Sequence, residues 1–359
     1  MTRSAFWCSL ACLLTLLASP VRGQDVGKDP AENARFHLGV IRFTPFLALN
    51  DIGVDTNVYN RLDDQRQDFT MTLGPGADYW MKLGRGRLDA RSAVTYTWFQ
   101  TYGDQRSLNT ENKATLSLPL NRLTPFVDGL YNYGRRRVSY EIDARALSTE
   151  SGYGGGLDVR ATAKSTIRLQ GHRTRLRFDD EFFLGTSLQE SLSRTMTSGG
   201  VSLRHSVTPL TTFVVLSEYE QDRFLYSGEK DADAVKVMPG FEFDPFALIG
   251  GRVFVGYRHF RTLQAAVPDF SGVVADIAAD YKTHATRMDV KYARDVTYSY
   301  EDVDPYYILS DVALKVTQKV TRRWDLVARR SCVRPRSSAS GSTTSITARR
   351  PGSRCRRSR

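Results

Sequence analysis

The sequence predicts an all-β fold, a transmembrane antiparallel up-and-down β-barrel of about 14–16 strands. Three observations predict it. Apolar and polar residues alternate with period two over segments of 10–15 residues, short polar turns recur about every 40 residues, and longer polar segments fall between those turns. Period-two alternation is the signature of a strand with two unlike faces. A soluble sandwich alternates too, but its strands average about five or six residues. Strands of about 9–11 residues, tilted, are what a bilayer demands. A polytopic helical membrane protein is excluded by the mean hydropathy of −0.37, since each span needs about 20 consecutive apolar residues.

The alternation is explicit along the chain. In 68–83, Phe69, Met71, Leu73, Ala77, Tyr79, Met81 and Leu83 alternate with Asp68, Thr70, Thr72, Asp78 and Lys82. In 112–120, Ala114, Leu116, Leu118 and Leu120 alternate with Lys113, Thr115 and Ser117. In 211–222, Phe213, Val215 and Tyr219 face away from Glu218, Glu220 and Asp222. In 287–300, Met288, Val290, Tyr292, Val296, Tyr298 and Tyr300 share one parity, and Arg287, Asp289, Lys291 and Asp295 the other.

Turns separate these segments. Short polar connections sit at Gly84-Arg85-Gly86-Arg87, Asn121-Arg122, Ala163-Lys164-Ser165, Val207-Thr208-Pro209, Asp244-Pro245, Thr283-His284 and Thr321-Arg322. Longer polar segments lie around 55–67, 102–111, 141–150, 181–190, 224–233, 263–271 and 300–305. Short turns at one end and long loops at the other is the arrangement of an outer-membrane barrel, with the short turns periplasmic. A cysteine at Ser227 is therefore expected to label from outside the cell, and one at Ser165 not. A propeller also repeats near 40 residues, but packs four short strands into each repeat rather than two long ones.

Fourteen strands are legible up to Val320, and a fifteenth begins at Arg323. Bacterial single-chain barrels have even strand numbers. From Arg330 onward, however, there is no aromatic residue, no acid and no alternation. We expect a loss of reading frame near Arg330 and a missing closing strand; the alternative is a genuine basic extension.

Both ends differ from the body. Arg3 precedes an apolar run from Ala5 to Ala18, too short to span but right for a signal peptide, with Val21-Arg22-Gly23 as a cleavage site. The expected organisation is a signal peptide at 1–23, a periplasmic linker at 24–36, the barrel at 37–328 and a basic low-complexity tail at 329–359. The formal charge of +11 is carried by the ends: ten arginines lie between Arg329 and Arg359 and two in the leader, leaving the middle near neutral. A nucleic-acid partner is not expected of an exported chain with a neutral body. Cys8, Cys12, Cys332 and Cys355 are likewise terminal, so the body has no disulfide framework or thiolate metal site.

Gly53-Val54-Asp55-Thr56-Asn57-Val58-Tyr59, after a first apolar strand, resembles the opening of the second of the uncharacterised outer-membrane β-barrel porin families, often found beside exopolysaccharide genes. Leu73-Gly74-Pro75-Gly76 fits that family's second strand, and Val237-Met238-Pro239-Gly240-Phe241 repeats the device. The resemblance spans Phe36 to Ala328. It implies an outer-membrane barrel of poorly defined activity, in a Gram-negative-type bacterium, with a link to exopolysaccharide export.

Few residues point to chemistry. His37, His172, His205, His259 and His284 form no pair at ligand spacing, and no cofactor is expected. His205-Ser206 suggests a barrel phospholipase, but no orienting companion is evident. Asp231, Asp233, Asp302 and Asp304 are loop acids without a neighbouring His. Gly152-Tyr153-Gly154-Gly155-Gly156 lacks the Lys and helix of a phosphate loop and instead allows curvature or room for a neighbouring side chain. Arg135-Arg136-Arg137 is a basic cluster, and Arg173, Arg175 and Arg177 share one strand face. The latter three would line a lumen and favour anions, or form salt bridges to adjacent strands.

The expected function is a porin-like channel or accessory barrel, not an enzyme. The alternatives are a non-conducting structural or adhesion barrel and an outer-membrane hydrolase. The expected lumen-lining residues are Asp78, Lys82, Asp89, Arg91, Glu218, Glu220, Asp222, Arg252, Arg258, Arg287, Asp289 and Lys291. Expected partners are outer-membrane lipid and lipopolysaccharide, the barrel assembly machinery and polysaccharide export components.

Overall fold

The computed structural model describes residues 30–59, 65–139, 141–142, 145–244, 249–265, 267–283, 285–301, 305–319, 325–337 and 354–358. The leader, His284, Asp302, Asp304 and the Thr321-Arg322 turn lie outside the described residues. After a 3-10 turn at Pro30–Asn33 come β1 (Phe36–Leu38), β2 (Ile41–Asp55), β3 (Asp68–Leu83), β4 (Gly86–Phe99), β5 (Ser107–Ser117), β6 (Leu123–Arg137), β7 (Arg145–Arg160) and β8 (Ser165–Phe178). A hairpin of β9 (Phe182–Phe183) and β10 (Thr186–Ser187) leads into the short helix α1 (Leu188–Leu192). Then follow β11 (Arg194–Thr208), β12 (Thr211–Phe224), β13 (Ala232–Phe243), β14 (Ile249–Thr262), β15 (Phe270–Lys282), β16 (Thr286–Tyr298), β17 (Tyr306–Lys319), β18 (Asp325–Ser337) and β19 (Arg354–Ser358).

The fold is all-β, antiparallel and up-and-down. The chain divides into two compact units, 1–157 with 172–195 and 158–171 with 196–359. In the first, β2 to β6 pair each with the next. In the second, β12 to β19 do the same. No helix among the described residues is long and apolar enough to cross a membrane.

The fourteen strands legible in the sequence are β2–β8 and β11–β17, of 11–16 residues each. The fifteenth, β18, does not stop where the side-chain alternation stops. It runs through Arg330 to Ser337 and pairs with β17 over 13 register positions. A ladder is made by backbone groups, so pairing propagates where the side-chain pattern has lapsed. The five-residue β19 pairs with β18 and places Cys355 opposite Cys332, which is disulfide-bonded. Residues 329–337 and 354–358 thus contribute strands, beyond the boundary expected at 328. The sequence also gave no sign of β9, β10 or α1. That helix is capped by Ser187, whose hydroxyl accepts from the Glu190 amide at 3.3 Å.

Each long strand presents two unlike faces. On β3, Phe69, Leu73, Tyr79 and Leu83 are exposed, whereas Asp68, Thr70 and Thr72 are buried. The same apolar parity is exposed at Val94 and Tyr96, Val127 and Tyr131, Val201 and Leu203, Val235 and Val237, Val255 and Tyr257, and Met288 and Val290. The opposite face carries polar groups and small packed clusters. In the second unit Val214, Met238, Phe254 and Val274 form one such cluster.

Two glycines of the family-like segments have a steric reason. Gly76 is the register partner of Phe46, and Gly240 of Phe254. At both, a Cβ would collide with the aromatic ring opposite. The preceding prolines cannot donate to a ladder, and the β3–β4 register is interrupted at Gly74 and Pro75. The motif beginning at Gly53 lies beside a register shift between Asn50 and Gly53, where Asp51 has φ of 52°. This is a β-bulge, which adds local twist.

A candidate ion-lined face

The residues of the polar face are built by register. In the second unit Glu218 lies opposite Lys236, and Lys236 opposite Arg258. Direct partners share a face, so three adjacent strands bring these charges into one row. Lys236 Nζ is 3.4 Å from Glu218 Oε2 and 3.8 Å from Asp295 Oδ2. Arg258 donates to Glu220 Oε1 at 3.2 Å and to Asp295 Oδ1 at 2.9 Å. It reaches β16 across β15 because its register partner there is Gly272, which has no side chain to intervene. Arg258 is buried, with only 6 % of its side chain exposed. Glu218, Glu220 and Asp295, when ionised, thus share two cations.

An aromatic layer closes this network on the long-loop side. Phe260 packs on Tyr306 at 4.9 Å and on Tyr298 at 5.9 Å, and Phe224 packs on Tyr298 at 4.9 Å. The Tyr298 hydroxyl donates to Asp222 Oδ2 at 2.8 Å. Tyr298 therefore joins the charged side, although its parity assigns it to the apolar one. Among the described register pairs β16 stays paired with β17 as far as Tyr298 with Tyr306, but its last pair with β15 is Ala275 with Arg294, so this end of β16 is held from one side. Lys230, in the β12–β13 loop, is buried and donates to the Ser299 carbonyl at 3.3 Å.

Most of the remaining expected residues form separate pairs. Arg91 donates to Asp78 at 3.4 Å and lies over the Phe46 ring, 4.6 Å from its centroid. Arg87 donates to Asp89 at 2.9 Å, Arg252 to Asp276 at 2.9 Å and Arg287 to Asp289 at 2.9 Å. Lys82 lies opposite Arg87, and Lys291 is exposed between Ala278 and Ala313. The structure thus gathers Glu218, Glu220, Asp222 and Arg258 and leaves the others apart. Sequence reasoning missed Lys236, Asp276 and Tyr298 as members of this face. Nothing local to Lys236 revealed its partners, which lie on β12 and β16. Arg168 with Asp158 and Arg204 with Glu242 were also missed.

Other expectations resolve locally. Gly154 makes room for the His172 ring, which a Cβ there would strike; His172 faces Asp128 at 3.4 Å. Arg135 pairs with Glu181 at 2.9 Å and Arg136 with Glu150 at 3.8 Å. His205 meets Ser165 at 2.9 Å, and His259 meets Ser271 at 2.6 Å. No described carboxylate is hydrogen-bonded to either ring, so neither pair is a triad. Among the described residues no three His, Cys, Asp or Glu side chains gather as a metal site.

A loop clasp sits outside the long strands. The Tyr59 hydroxyl donates to both Asp104 oxygens, at 2.9 and 2.8 Å, and its ring meets Tyr102 edge-on at 5.2 Å. Burial, then the Asp104 contact, pushes the Tyr59 phenol up to about 12. For Asp104 burial acts upward, but hydrogen bonds from Gln105 and Tyr59 prevail and hold the carboxyl below its ordinary value. A lowered acid stabilises above its unfolded value and loses this as pH falls through the folded one; a raised phenol stabilises until pH climbs through its folded value. The clasp should therefore hold from mild acid to strongly basic pH. Tyr59→Phe should move the Asp104 titration upward in a carboxyl-resolved NMR experiment; an unmoved titration would show that the clasp does not form.

No family model matches the chain, and no curated protein matches it. Among solved structures it is similar to the ferric enterobactin receptor of Pseudomonas aeruginosa, with 8% identity over 83% of this chain and 58% of that one, at a TM-score of 0.44. The siderophore receptor PirA of the same organism gives 10% identity, coverage of 82% and 55%, and a TM-score of 0.42. OccAB3 of Acinetobacter baumannii gives 12% identity, coverage of 82% and 93%, and a TM-score of 0.41. The chain spans a little over half the length of the two receptors.

Proposed function

We propose that this protein is an outer-membrane β-barrel of the porin-like kind, with the ion-lined face bordering an aqueous path. One observation carries this: along the long strands exposed large apolar side chains alternate with carboxylate–cation pairs on the opposite face. So much contiguous exposed apolar surface is unfavourable in water and favourable in lipid. The opposite face is too charged for a dry core. Glu218, Glu220, Asp222 and Asp295 set four carboxylates against Lys236, Arg258 and the buried Lys230, which favours cations at this level.

Conductance tests the proposal. The refolded chain should open cation-preferring channels in a planar bilayer. Asp222→Asn, which keeps an oxygen to accept from Tyr298, should shift the reversal potential toward anions. Membrane insertion without conductance would favour the structural or adhesion barrel instead. Topology is tested by labelling. Ser227, the position expected to label, is buried, whereas its neighbour Tyr226 is 60% exposed. Tyr226→Cys should react with an impermeant reagent on intact cells, and Lys164→Cys, in a short turn, should react only after the outer membrane is opened. The opposite pattern would invert the barrel.

The link to polysaccharide export is supported by the family resemblance alone. Deletion of the gene in its native host should lower surface polysaccharide; unchanged polysaccharide would leave a general porin. The barrel assembly machinery is the partner that any such barrel needs for insertion.

A further inference from the structure

Among the described residues Arg173, Arg175 and Arg177 form no salt bridge. All three are exposed on β8, on the same parity as the exposed Leu169, while Thr174 and Phe178 on the other parity are buried. The arginines of the polar face at positions 91, 168, 204, 252, 258 and 287 each meet a carboxylate. Arg173, Arg175 and Arg177 make no ion pair with any described residue. They occupy the final turns of β8 before the long 179–193 connection, at the end opposite the short 161–164 turn. From Arg173 to Arg177 the strand advances about 13 Å.

This placement is costly in one setting only. A lipid-facing arginine is strongly unfavourable at the bilayer midplane and nearly neutral at the interface. Three together on one outward face belong at headgroup level. Guanidinium forks match phosphate oxygens two at a time, better than ammonium groups do. On the proposed topology the long-loop end is the outer leaflet. We infer that Arg173, Arg175 and Arg177 form a binding site for the headgroup phosphates of a bisphosphorylated glycolipid, the lipopolysaccharide class. The inference rests on the barrel reading.

The test uses the full chain refolded into phosphatidylcholine vesicles, with integration scored separately by resistance to carbonate extraction. Binding is then measured in micelles with bisphosphorylated lipid A, its dephosphorylated form, and pyrophosphate. Wild type should prefer the phosphorylated lipid by more than about ten-fold, the loss expected from one charged hydrogen-bonded contact. The triple variant R173Q–R175Q–R177Q should lose this preference and still integrate. R173K–R175K–R177K should retain part of it. A charge-matched control at the short-turn end, R85Q–R122Q–R160Q, should keep it whole. Equal loss in both glutamine triples, no preference in an integrated wild type, or pyrophosphate binding as tightly as the lipid would each overturn the inference and leave the barrel standing. A wild type that does not integrate would overturn both.

Discussion

Arg258→Ala is expected to destabilise the protein by about 3–5 kcal/mol, the cost of removing one partner from a buried ion pair. Arg258 is buried and bridges Glu220 on β12 to Asp295 on β16. Its loss removes the guanidinium that bridges Glu220 and Asp295, and leaves Lys236 at 3.8 Å from Asp295 Oδ2. Denaturant unfolding in detergent measures the effect. The neutral combination Arg258→Met, Glu220→Gln, Asp295→Asn should recover most of the stability, because the penalty lies in uncompensated charge rather than in lost attraction. Arg287→Ala is the contrasting control: the Arg287 side chain is exposed, and its pair with Asp289 should contribute less than about 1 kcal/mol. Equal effects at Arg258 and Arg287 would refute the bridging role.

Val290→Arg should cost about 2–4 kcal/mol if its level on β16 is near the bilayer midplane. Val290 is exposed and lies between Ala279 and Leu314, on the apolar parity. Lys291→Glu, one residue on, should change folding little and shift ion preference toward cations, since it reverses a charge on the polar parity. Stability in vesicles against urea separates the two. Comparable losses at both sites would overturn the assignment of faces on β16.

Val290 and Lys291 could be assigned to opposite faces from sequence alone, because period two is enforced by strand geometry whatever the neighbours are. Gly76 and Gly240 were visible as a repeated segment, but their reason, an aromatic ring on the partner strand, was not. Arg173, Arg175 and Arg177 were visible as one face, and which face was ambiguous. Leu176 and Phe178 sit on the parity opposite to Leu169, so the local pattern offers apolar residues on both sides.

The sequence by itself determined the fourteen long strands and the parity of most of their side chains, because these depend on local geometry with a fixed period. Only the tertiary structure decided which charge meets which. Arg258 and Asp295 are 37 residues apart and meet over an intervening glycine. That meeting depends on the register of β14, β15 and β16, and a slip of one residue would turn every side chain of a strand to the other face. The same holds for Tyr298, which leaves its assigned parity near the end of β16, and for β18, where backbone pairing outlasts the side-chain pattern. Register is a sum over two whole strands and the turn between them, so no local stretch of sequence contains it.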